Sequence, residues 1–245
     1  MAKSIKFISS LFLFLFSISM SLAQEEERKE IYRHFDAIIG QENTGLLNGT
    51  EYIERNRTLN EHHKYFLSQE FLKGFVKYDG QPYYGIDMKY NIWNDLLLVR
   101  IKYAQAEPVL ELHKNKIGSF EIDNHRFLSV LPEESGNGVK GFYEILLEND
   151  ILKLLKKYKK KEKTILDREY SYYEYRPDEA EYVLFFEGKY EQIDSRGELS
   201  NFFPEIKTEI RKIYRKKRKL RKSDSDQFMT NLVSELTPLL KASNK

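Results

Sequence analysis

No cysteine occurs anywhere in the 245-residue chain. Disulfides and cysteine-type zinc sites are therefore excluded, and stability has to come from packing. Histidine is scarce: the five are His34, His62, His63, His113 and His125. His62 and His63 are neighbours, but adjacent residues of a strand point to opposite faces, so the pair is no ready-made ligand set. The chain has no HExxH, no phosphate-binding P-loop, no GxGxxG and no Gly-x-Ser-x-Gly elbow, which removes the common signatures of zinc proteases, nucleotide enzymes and serine hydrolases. Carboxylates are plentiful, yet none stands in an apolar setting that singles out a general acid. Neither a cofactor nor a metal is expected. Charge of one sign is missing too: the formal net charge is only +2, so composition alone implies no partner.

What the chain does have begins at its start. Lys3 and Lys6 precede an apolar run from Phe7 to Leu22, and Ser21-Leu22-Ala23 puts small residues where a signal peptidase reads. The pattern predicts a secretory signal peptide over residues 1–23, cleaved after Ala23. The run is shorter than the roughly 20 residues needed to span a bilayer, and Gln24-Glu25-Glu26-Glu27 follows at once. Gln24 to Lys29 reads as a charged, unstructured tail. Ile31, Phe35, Ile38 and Ile39 fall at helical spacing, so a short helix is expected from Glu30 to Ile39, ended by Gly40. Asn43 to Asn60 reads as a loop. Its Asn48-Gly49-Thr50 and Asn56-Arg57-Thr58 have the form of glycosylation sequons, a pattern that chance also supplies.

The centre of the chain is strand-like. Tyr84 to Ile92 alternates apolar and polar residues, the period of a strand with one dry face. Turn signals recur at Asp79-Gly80, Asn94-Asp95, Lys114-Asn115 and Asp123-Asn124, which describes an antiparallel meander. Expected strands are Tyr65–Leu67, Phe71–Tyr78, Tyr83–Ile92, Leu96–Tyr103, Val109–Leu112, Ile117–Ile122, Arg126–Leu131 and Gly141–Glu148. Pro132 to Gly138 reads as a flexible loop. Ile151 to Tyr158 fits a helix by spacing, but the tight Asn149-Asp150 turn favours a hairpin arm. Lys156 to Lys163 reads as a solvated edge, where lysine discourages aggregation. A strand over Tyr170 to Tyr175 and a hairpin from Tyr182 to Ile193 complete the sheet.

After Asp194 the pattern turns helical. Ser195 and Glu198 have capping-box spacing, and Pro204 suits the first turn of a longer helix lined by Ile206, Ile210, Ile213 and Tyr214. Ser223 to Asp226 caps a last helix that Pro238 is expected to end. The expected architecture is thus α+β: a curved antiparallel β-meander over 65–194, then a C-terminal helical pair over 195–240 packed on it, with 24–64 as an N-terminal tail, helix and loop.

Two features are candidates for function. The first is the basic run Lys207, Arg211, Lys212, Arg215, Lys216, Arg218, Lys219 and Lys222, joined by Lys217 and Arg221. Such a stripe docks on an acidic protein partner, an envelope complex or an anionic membrane surface, or is a plain solvated helix face that also favours the helix dipole. Export argues against nucleic acid. The second is the cluster Tyr170, Tyr172, Tyr173 and Tyr175, which reads as a stacking platform or as ordinary sheet packing.

Phe75 to Gln81, Ile86 to Asp95, Gly141 to Glu144 and Leu199 to Lys212 resemble a group of small uncharacterised exported proteins of Bacteroidota-type bacteria. The resemblance implies a periplasmic or outer-membrane setting and carries no active-site residues. The expected role is a non-catalytic binding or scaffold protein of the cell envelope. Two alternatives stay open: a carrier of an apolar or lipid ligand, which requires an apolar cavity, and an envelope-polymer hydrolase, which requires convergent carboxylates or histidines in a cleft.

Overall fold

The computed structural model describes residues 24, 26–56, 58, 61–102, 106–135, 138–166 and 170–243. The expected signal peptide and its cleavage position lie outside them. Thirteen strands are described: β1 (Thr50–Glu51), β2 (Leu72–Tyr78), β3 (Gln81–Asn91), β4 (Leu96–Arg100), β5 (Val109–Glu111), β6 (Ile117–Ile122), β7 (His125–Val130), β8 (Gly141–Glu148), β9 (Leu152–Lys157), β10 (Lys160–Leu166), β11 (Ser171–Pro177), β12 (Glu181–Phe186) and β13 (Lys189–Gln192). Eleven of them form one antiparallel sheet in the order β1-β5-β4-β3-β2-β6-β7-β8-β9-β12-β13, while β10 and β11 pair only with each other. The α+β plan therefore holds, with a meander that is not closed into a barrel.

The turns explain the meander locally. Asp79-Gly80, Asp123-Asn124 and Glu187-Gly188 each place two residues at positive φ, the geometry whose twist matches a tight hairpin. The topology also forces the sheet to curl. Only five residues join β5 to β6, three of them in a 3-10 turn at Lys114–Lys116, a reach of about 16 Å. On a flat sheet those strands would stand four spacings apart, about 19 Å. Bulges supply the bend: Gly85, at φ 68°, is the extra residue where the β2–β3 register shifts between Gly74 and Phe75, and further shifts occur in β2–β6 and β8–β9.

The curled face of β2–β8 encloses one core, in which Tyr90, Phe120, Phe127 and Phe142 meet edge-on or stacked. A second core lies between β9–β12 and the C-terminal helices: Leu152, Leu154, Leu184 and Phe186 from strands meet Leu199, Ile210, Phe228 and Leu232 from helices. These helices are α3 (Arg196–Phe202), α4 (Lys207–Lys216), α5 (Arg218–Ser223) and α6 (Ser225–Ser243). The Ser195–Glu198 capping box starts α3 as expected. Among the described residues no helix is long and apolar enough to cross a membrane.

Several segments depart from the sequence reading. Residues 26–39 form helix α1, so the tail from 26 to 29 is helical and not coil; Lys29 and Arg33 pair with Glu26 and Glu30 one turn back. The apolar stripe of α1 is correctly spaced but unburied, with Ile31, Phe35 and Ile38 all more than half exposed. Tyr65–Leu67 is no strand: Leu67 has φ 53°, and only a bridge from Tyr65 to Asn91 attaches the segment to β3. Pro132–Ser135 forms a single helical turn, α2, within the expected loop. The solvated edge expected over Lys156 to Lys163 holds only in its second half: Lys156 is buried on β9, while 161–163 are exposed on β10, a strand paired only with β11. Helix α6 does not stop at Pro238 but runs to Ser243, because Leu240 is buried in the second core and the Thr237 hydroxyl donates to the Val233 carbonyl at 2.8 Å. The basic run is not one helix either: Lys217 leaves helical geometry at φ −102°, ψ 23° and separates α4 from α5.

Candidate functional site

The basic run forms one wall of an open cleft of about 910 Å³ between the first turn of α3 and the α4–α5 elbow. Its other wall begins at the capping box, which orients Arg196 towards it. Ile210, Ile213 and Tyr214 anchor α4 to the second core, so the opposite face of that helix must stand in solvent. Lys217 holds the elbow by pairing with Glu235 of α6 at 2.7 Å.

Between Lys207 and Lys222 stand ten basic side chains and one carboxylate, Glu209, in a chain of formal net charge +2. The remainder of the chain is therefore net acidic, and the cations are concentrated on this one surface. Of the predicted residues, Arg211, Lys212, Arg215 and Arg218 line the cleft, whereas Lys207, Lys216, Lys219 and Lys222 are exposed outside it. The structure adds Arg196, Arg221 and Tyr214 to the lining. Arg196 was invisible in sequence because it belongs to a different helix; Arg221 carried the spacing signal of the run, three residues after Arg218.

Lys212 lies 3.8 Å from Glu209. Among the described residues, none of Arg196, Arg211, Arg215, Arg218 and Arg221 has a carboxylate or other hydrogen-bonding partner. Arg221 lies over the Tyr214 ring at 5.6 Å, and that ring meets Phe228 edge-on at 5.0 Å. The Tyr214 hydroxyl is buried with no partner among the described residues. Burial pushes it up to about 12, with Arg221 pulling the other way, so it keeps its proton and stays a donor.

The tyrosine cluster is dispersed. It lies on the β10–β11 ribbon, where Tyr172 and Tyr173 point to opposite faces. Tyr175 is buried; its hydroxyl donates to Glu162 at 2.8 Å, accepts from Asn56 at 3.0 Å, and its ring packs against Trp93. Tyr170 stands half-exposed outside the strand. No common stacking face is assembled.

Two polar clusters were not legible in the sequence. Buried Glu144 accepts from the Tyr158 hydroxyl at 2.6 Å and lies 2.5 Å from His125 Nδ1. Asp95 accepts from the Tyr90 hydroxyl, Lys114, Lys157 and the Phe142 amide. Both carboxylates are met by polar groups from strands and from the turns beside them, as the burial of a charge demands, and they tie those segments together. Among the described residues no group of three or more metal-ligating side chains converges. The space between sheet and helices, where a carrier would need its cavity, is occupied by the second core. No protein-family model, curated protein or solved structure matches this chain.

Proposed function

We propose that the protein is an exported, non-catalytic binding or scaffold protein, an accessory component of a cell-envelope assembly, which docks on an anionic partner through α4 and α5. The observation that carries this reading is the row of arginines that have no carboxylate partner among the described residues, in a segment with ten cations and one carboxylate while the rest of the chain is net acidic. Like charges one helical turn apart repel by a few tenths of a kcal/mol per pair, about 0.2–0.5, a cost that an anionic partner relieves. Export rests on the lysine, apolar core and small-residue pattern of residues 1–23, and the envelope setting on the resemblance of the sheet segments to exported bacterial proteins.

Changing Arg215, Lys216, Arg218 and Lys219 together to Glu is expected to release the protein from isolated cell envelopes. Wild-type retention is expected to weaken as salt is raised. Retention that ignores both the substitutions and the salt would discard electrostatic docking.

A further inference from the structure

All four arginines between Lys207 and Lys222 line the cleft, but only one of the six lysines does. A merely solvated face has no reason to sort the two residues, since either cation serves solubility. The chemistry that separates them is geometric. Arginine offers a rigid planar fork that grips an oxyanion with two parallel hydrogen bonds, whereas lysine is a point charge. The spacing 211, 215, 218, 221 keeps the forks on one side despite the break at Lys217, and Arg196 faces them from α3.

A second observation is independent of charge. Tyr214 is 7 % exposed, lines the same cleft, and its hydroxyl has no partner among the described residues. An unsatisfied buried hydroxyl costs about 1–3 kcal/mol, a cost offset when a bound ligand displaces the side chains over it and brings it an oxygen.

We propose that the cleft between α3 and the α4–α5 elbow is a binding site for a ligand carrying two or more phosphoryl groups. The number follows from donor arithmetic. One phosphoryl group presents three acceptor oxygens, about six lone-pair sites at two each, whereas five guanidinium forks at two N–H groups each present about ten. Five forks therefore need more than one such group. Arg211 and Arg215 are one turn apart, about 6 Å along the axis, so successive phosphoryl groups of one molecule can each meet their own fork. The Tyr214 hydroxyl donates to the group that sits deepest. The inference rests on the docking reading only in sharing its surface, and it stands or falls separately.

Isothermal titration of the mature protein with inorganic tripolyphosphate, pyrophosphate and orthophosphate at constant ionic strength tests it. Tripolyphosphate is expected to bind tightest and orthophosphate weakest. The charge-neutral double variant R215K/R218K is expected to lose about tenfold in tripolyphosphate affinity, and Y214F about three- to tenfold while its ligand-free thermal melt rises, since the unpartnered buried hydroxyl is gone. K216E/K219E, outside the cleft, is expected to lose only about threefold, the screening effect of distant charge. Binding by R215K/R218K and Y214F that stays within about twofold of wild type, or an equal loss in K216E/K219E, would overturn the site in favour of a diffuse basic surface. Vesicles of phosphatidylcholine with phosphatidylinositol bisphosphate, whose headgroup carries more than one phosphoryl group, against pure phosphatidylcholine, separate the sources. Vesicle binding that tripolyphosphate displaces assigns the site to a lipid headgroup, and tripolyphosphate binding without vesicle binding assigns it to a soluble phosphate. Vesicle binding with no tripolyphosphate binding overturns it. Salt-sensitive envelope retention without tripolyphosphate binding would leave docking standing and the phosphoryl site refuted; the converse would do the opposite.

Discussion

Removing the Asp226 carboxylate should loosen the helical layer from the sheet. Asp226 stands in the first turn of α6, its Oδ2 2.5 Å from Lys156 Nζ on β9 and its Oδ1 accepting from the Tyr182 hydroxyl of β12 at 2.6 Å. The Lys156 side chain is only 10 % exposed and its ammonium lies 4.0 Å from the Tyr158 ring centre. In D226A that ammonium loses its only carboxylate among the described residues while remaining buried. Stranding a fully buried charge costs about 3–5 kcal/mol. The Asp226 side chain is 41 % exposed, so water replaces part of the lost partner and the cost falls just below that range, to about 2–3 kcal/mol, including the loss of an acid at a helix N-terminus. The double variant K156M/D226A keeps the aliphatic packing and strands no charge, so it should recover to within about 1 kcal/mol of wild type. Equilibrium urea unfolding of the wild type, both single variants and the double variant gives the coupling directly. A D226A cost below about 0.5 kcal/mol, or a double variant equal to the sum of the singles, would refute the buried-clasp argument.

Three further outcomes are expected. Burial pushes Lys160 down to about 8 from 10.5, and a neutral amine still has hydrogens for the His63 and Tyr65 carbonyls it bonds. The unfolded chain therefore holds a proton that the folded chain lacks between those values, and stability should rise with pH across that window; urea melts of K160M should show that rise removed, and an unchanged slope would discard it. Gly141 has φ 100°, and a Cβ there would meet the Asp95 carboxylate and the Lys157 ammonium. G141A should cost about 2–3 kcal/mol in thermal or urea unfolding, and a neutral result would contradict the crowding. Replacing Pro238 by Ala should restore a hydrogen bond to the Ser234 carbonyl and stabilise the protein by about 1–2 kcal/mol, read from the same melts; a loss of stability would mean that α6 needs the proline.

What could be read from the chain was whatever neighbouring residues decide between themselves. Asp79-Gly80 makes its turn because both residues tolerate positive φ, and Ser195 with Glu198 caps α3 across three residues. The bounds of Ile117–Ile122 and Gly141–Glu148 were legible for the same reason, since alternation and flanking turns are local. The proline at 238 misled because its cost is local while Leu236 and Leu240, buried on the second core, hold the helix on either side of it. Lys156 looked like a surface residue because Asp226, which makes its burial tolerable, lies 70 positions away.

Taken alone, the order of residues determined that this is an antiparallel sheet followed by helices, and that a dense run of cations sits near the end. Periodicity, turn chemistry and caps are short-range, so they survive in one dimension. Only the tertiary structure decided that the run breaks at Lys217, that its arginines face one cleft while most of its lysines do not, and that Arg196 and the unpartnered Tyr214 hydroxyl join them. Those placements depend on which helix face the second core buries, a matter of long-range packing that no local pattern encodes.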